Sequence, residues 1–140
     1  MSFGATRTTK TIDKEILKFP AGLDSIESIV LMASGVDELA SATTGQTGVI
    51  GLLAGTVLSQ LTSGADSQER YKPYESGGSE VVAGILGDTV YFHDNTDASD
   101  KPADMLFHGC VFDKAKLTGY TGNEAAVEAA LPTCRFETKD

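Results

Sequence analysis

Tryptophan is absent, and aromatic residues make up only 7% of the 140 residues. A core without large rings has to be filled by small and branched aliphatics. Two cysteines and four prolines against fifteen glycines argue against a disulfide scaffold or a proline-rich linker, and promise many turns. The longest apolar run, Val49 to Leu58, is about half of the roughly 18 or more residues that a membrane helix needs. It reads as a core segment, and no membrane partner is expected. No apolar stretch follows the first basic residues, so a secretory signal is not expected and the chain is expected to start in a cytoplasm. Cys110 and Cys134 would stay reduced there and read as buried small hydrophobes, with a disulfide as the alternative.

Positive charge is also scarce: 11 Lys and Arg face 20 Asp and Glu, for a net charge of −9. Residues 1 to 20 carry Arg7, Lys10, Lys14 and Lys18 against Asp13 and Glu15, a surplus of +2, which leaves −11 for the rest. An acidic body with scattered bases repels phosphate backbones, so no nucleic-acid partner is expected.

An apolar share of 41% with 22% charged residues is that of a chain that folds. Residues 1 to 20 read as a flexible N-terminal arm and residues 21 to 140 as a single β-rich domain. Within the arm, Thr6 to Thr11 is rich in β-branched residues with no partner strand nearby in sequence, and a short helix is expected from Ile12 to Lys18, ended by Pro20. Ile26 to Met32 reads as a strand or short helix, and Val49 to Leu61 as two short strands with a corner. Tyr71 to Tyr74 holds Pro73 and so belongs on a sheet edge. Val81 to Leu86 is expected as a buried strand and Thr89 to His93 as another. Asp94 to Asp104 reads as a polar loop and Met105 to Phe112 as a strand. The run from Asn123 to Leu131 is the clearest helix, with Asn123 as its N-cap, and Cys134 to Phe136 closes the chain as a strand. The expected class is mainly β with one short late helix, because strands and helices do not alternate as a parallel sheet requires.

Catalytic chemistry finds little support. His93, Asp94 and Asp97, and His108 with Asp104, lack the tight spacing of a zinc site, and Asp94 to Asp100 lacks the order of a calcium loop. His108 and Cys110 would share a face of a strand, which suggests a base and a nucleophile, yet their neighbours look like packing residues. Gly45, Gly48, Gly51 and Gly55 form no phosphate-binding motif. No metal, cofactor or enzymatic activity is expected.

One ordered series stands out: Gly55-Thr56-Val57-Leu58, Tyr71-Lys72-Pro73-Tyr74, Val82-Ala83-Gly84-Ile85-Leu86, His108-Gly109-Cys110-Val111, Lys114 to Leu117, the alanine-rich helix and Arg135-Phe136. In order and spacing it resembles the head-decoration proteins of tailed bacteriophages, over about residues 26 to 136. The resemblance implies a compact β-clip-type fold whose motif residues include Gly55, Tyr71, Pro73, Tyr74, Gly84 and Gly109. It also implies a homotrimer on the outer capsid surface of the virion, bound to the major capsid protein at three-fold and quasi-three-fold positions of the expanded head. The family places the N-terminal arm against the coat protein. Thr6, Arg7, Thr8, Thr9, Lys10, Thr11 and Ile12 are therefore the expected capsid-binding residues, adding as a strand to a coat-protein sheet. A host-facing or glycan-binding module of the virion surface is the alternative, resting on the acidic loop Asp94 to Asp104.

Overall fold

Neighbouring apolar residues in the described strands bury on opposite faces, so the core lies in two layers. The computed structural model describes residues 12, 14–18, 22, 25–31, 50–60, 70–75, 81–92 and 101–138. Thr6 to Thr11 and His93 to Asp100 lie outside them. The described strands are β1 (Ile26–Leu31), β2 (Ile50–Leu52), β3 (Val57–Gln60), β4 (Arg70–Pro73), β5 (Val82–Leu86), β6 (Val90–Phe92), β7 (Lys101–Leu106), β8 (Val111–Asp113) and β9 (Arg135–Glu137). Among the described residues one α-helix, α1 (Glu124–Ala130), lies between the last two. The protein is mainly β, as its composition suggested.

Five strands close a barrel in the order β1-β4-β3-β5-β7, with β7 antiparallel to β1 along Ile26↔Leu106 to Leu31↔Lys101. Each contributes to one apolar cluster: Ile29 and Leu31 from β1, Leu58 from β3, Tyr71 from β4, Leu86 from β5 and Met105 from β7. That cluster is the barrel interior. The alternate positions Val57, Val82, Ile85 and Leu106 join a second cluster with Ile16, Leu17, Cys110, Phe112, Tyr120, Val127, Leu131 and Cys134. The barrel is thus covered on this side by the C-terminal segment, and two faces of burial explain why VAGIL is apolar throughout.

Four expectations change. The polar residues Lys101 to Asp104 are strand rather than loop, because they pair with β1 as Ser28↔Asp104 and Val30↔Pro102. The strand expected to run from Met105 to Phe112 breaks after Leu106. Gly109 has φ +68°, and the chain leaves the barrel there before resuming as β8, which pairs in parallel with β9. Strand β4 is not an edge strand, since it lies between β1 and β3. Among the described residues, however, its pairs with β1 end at Tyr71 and Pro73 pairs on the β3 side alone, as Leu58↔Pro73, a place where a residue without an N–H is tolerated. Finally, the helix expected over Ile12 to Lys18 is only a 3₁₀ turn at Lys14–Ile16.

The late helix forms within a residue of expectation and packs on β5 through the buried Val127. Its N-cap works differently. Asn123 makes no capping bond with its side chain, which instead donates from Nδ2 to the Gly119 carbonyl at 2.9 Å. Phe112, Phe136 and Tyr120 stack in series, with ring centroids 5.3 Å and 5.0 Å apart, and join β8 and β9 to the segment before the helix.

Candidate functional site

Of the residues read as fold motif, all but Gly109, which lies between β7 and β8 with its amide donating to Thr133 Oγ1 at 3.1 Å, meet in one region. GTVL supplies β3, YKPY β4 and VAGIL β5, and these are consecutive neighbours in the barrel: Leu58 faces both Pro73 and Gly84. The corner before β3 ties them further. The Gly55 amide donates to the Leu86 carbonyl at 2.8 Å, Leu86 N to Thr56 O at 2.9 Å, and Tyr74 N to Val57 O at 2.9 Å. Tyr71 is buried and its hydroxyl reaches Glu27 Oε2 at 3.3 Å, while Tyr74 is half-buried against the outer cluster. Gly84 exists for closeness: a Cβ there would lie 2.6 Å from Met105 Cγ and 2.7 Å from the Leu106 carbonyl oxygen.

Gly55 does two jobs. Its φ of +91° is a left-handed turn that side chains disfavour, and a Cβ would stand 2.7 Å from the Lys116 carbonyl oxygen and 3.1 Å from Ile16 Cγ2. Gly87, just past β5, is similar in the second respect, since a Cβ there would fall 2.6 Å from Ile12 Cδ1. These glycines leave room for the two isoleucines that precede the body.

That packing fixes where the N-terminal segment is fastened. Ile16 and Leu17 are 2% and 5% exposed and belong to the core, so the composition-based boundary at residue 20 moves toward the N-terminus. Leu17 bridges antiparallel to Phe112, and the Lys18 amide donates to the Val111 carbonyl at 2.8 Å. The Lys18 ammonium then donates to Glu137 Oε1 at 2.8 Å, with Arg135 Nε 3.4 Å from Oε2 of the same carboxylate. The hydrogen bond from Lys18, aided by the Arg135 charge, holds the Glu137 carboxyl below the usual carboxylate range despite some burial. Ile12, read as the last residue of the capsid-binding strand, has a half-buried side chain packed on the outer cluster. Thr6, Arg7, Thr8, Thr9, Lys10 and Thr11 lie outside the described residues. Apolar spacing at Ile12 and Ile16 was the signal for this root, read as a helix face rather than as an anchor.

The candidates for chemistry are dispersed. His93, Asp94 and Asp97 lie outside the described residues. Asp104 is buried on β7 opposite Ser28. His108 and Cys110 do not share a strand face, because the segment between β7 and β8 is not extended. The His108 ring is exposed, with Nδ1 3.1 Å from Thr133 Oγ1, whereas Cys110 is buried with its thiol toward the His108 carbonyl oxygen at 3.5 Å. The ring is therefore not the base for that thiol. Sequence reading also missed that the buried Cys110 and Cys134 stand at the starts of the paired strands β8 and β9, where each thiol shifts the other's pKa. Among the described residues no group of three or more His, Cys, Asp and Glu is placed to hold a metal, and no helix is long and apolar enough to cross a membrane. Compared with models of protein families, with curated proteins and with solved structures, the chain matches none.

Proposed function

We propose that this chain is a non-enzymatic capsid-decoration protein, whose homotrimers bind the outer surface of an expanded phage head at three-fold and quasi-three-fold positions and cement it. The observation that carries the reading is that the three most distinctive motifs form three successive strands, β4, β3 and β5, of one closed barrel. The major capsid protein is the partner, and the virion surface is where the protein acts.

In this reading Thr6 to Thr11 is the coat-binding strand and Ile12 to Lys18 is its root. Ile12 drops out of the binding strand because its side chain already packs on the body. Each backbone hydrogen bond nets roughly 0.5 to 1.5 kcal/mol, and ordering each residue costs roughly 1 to 2 kcal/mol, so one such strand binds weakly. Three on one trimer change the balance, since linked binding raises overall affinity by about 10² to 10⁴. A trimer that binds only the expanded lattice stabilises that lattice by mass action. The test is co-sedimentation with expanded heads of the intact chain and of a chain lacking residues 2 to 11. The intact chain is expected to bind and the truncated one to remain in the supernatant. Equal binding by the two would remove the arm from the mechanism, and no binding by either would remove decoration.

A further inference from the structure

Cys110 immediately precedes β8 and Cys134 immediately precedes β9, and the first pair of the parallel register is Val111↔Arg135. The Arg135 amide donates to the Cys110 carbonyl at 2.9 Å as part of that first pair, so Cys110 and Cys134 flank the start of the ladder side by side. Paired strands run about 4.7 to 4.9 Å apart, which lies within the roughly 4.4 to 6.8 Å between Cα atoms that a disulfide spans. Two residues on, Phe112 and Phe136 stack with centroids 5.3 Å apart, so this face of the two strands brings side chains into contact. Both thiols are free and buried in one cluster, at 3% and 8% exposure.

We propose that Cys110 and Cys134 are a redox pair that closes to an intramolecular disulfide when the protein meets a low-molecular-weight disulfide such as oxidised glutathione, stapling β8 to β9. This does not depend on the capsid reading. The two thiols divide the work. The interaction between the two thiols, together with nearby Thr133 and the His108 charge, lowers the Cys134 pKa, while the same interaction and burial raise that of Cys110. Cys134 is also the more accessible, next to the exposed Thr133. The Cys134 thiolate attacks one sulfur of oxidised glutathione, breaking its S–S bond, forming a mixed disulfide and releasing one glutathione thiolate. Cys110 then loses its proton and attacks the Cys134 sulfur, releasing the second glutathione thiolate. Two electrons pass from the cysteine pair to glutathione, and the two thiol protons end on the two glutathione thiols.

The test treats the full native chain with oxidised glutathione, then measures intact mass, a non-reducing peptide map and the melting temperature. The expected result is loss of two hydrogens, a Cys110–Cys134 linked peptide and a melting temperature higher by roughly 5 to 15 °C, reversed by a reducing agent. Cys110→Ala should trap glutathione on Cys134, and Cys134→Ala should trap little. A lasting glutathione adduct on the wild-type chain, a cross-link between chains, or an unchanged melting temperature overturns the proposal. So do native thiols that stay unreacted under conditions that link them in the denatured chain.

Discussion

Single side chains decide several local balances. Ser59 is wholly buried where the β3–β5 register shifts, and among the described residues its hydroxyl has no hydrogen-bond partner. A buried polar group left unpaired costs about 1 to 3 kcal/mol, so Ser59→Ala should be neutral or stabilise by about 1 kcal/mol in a denaturant melt. Gly84→Ala should do the opposite. The buried Met105 side chain and the Leu106 carbonyl of β7 would both have to shift, which costs about 1 to 3 kcal/mol in stability by the same measurement. Tyr120 carries a pH prediction. Burial first, and then its 2.6 Å hydrogen bond to Glu128, push its hydroxyl pKa up to about 12. The unfolded tyrosine ionises near 10, so its contribution is complete below about 10 and is lost as pH rises toward about 12. Phenolate absorbance should show one late-titrating tyrosine, and Tyr120→Phe should remove both that step and its part of the alkaline loss of stability.

At the level of elements, the segment around Ile16 and Leu17 belongs to the body as much as any strand does. Burial of those two side chains, at roughly 2 to 5 kcal/mol for each truncation to alanine, separates two deletions. Removing residues 2 to 11 should leave the melting temperature nearly unchanged, whereas removing residues 2 to 18 should unfold or strongly destabilise the protein by circular dichroism. What was legible beforehand follows the same physics. VAGIL and NEAAVEAAL announce themselves because burial on both faces or strong helix propensity is written into consecutive residues. Lys101 to Asp104 does not, because its strand state comes from pairing with β1, far away in sequence. The chain break at Gly109 was hidden by apolar neighbours, and the juxtaposition of Cys110 and Cys134 is set by a parallel register that no local pattern announces.

On the scale of the whole molecule, the barrel with its outer layer seats the N-terminal segment, with Ile16 against Gly55 and Ile12 against Gly87. In the proposed reading a binding strand presented from a fixed root loses less freedom than one on a loose tether, so the root would matter to affinity as well as to stability. In the proposed reading, the net charge of −9 disfavours contact with nucleic acid and leaves attachment to shape and backbone pairing. Sedimentation of the purified chain should give the mass of three copies. The most direct test of the decoration reading is electron cryo-microscopy of the protein mixed with expanded heads of the virus that encodes it. The account predicts trimeric density on the outer surface at three-fold and quasi-three-fold sites, with residues 6 to 11 paired to a coat strand. Bare three-fold sites at saturating protein would contradict it.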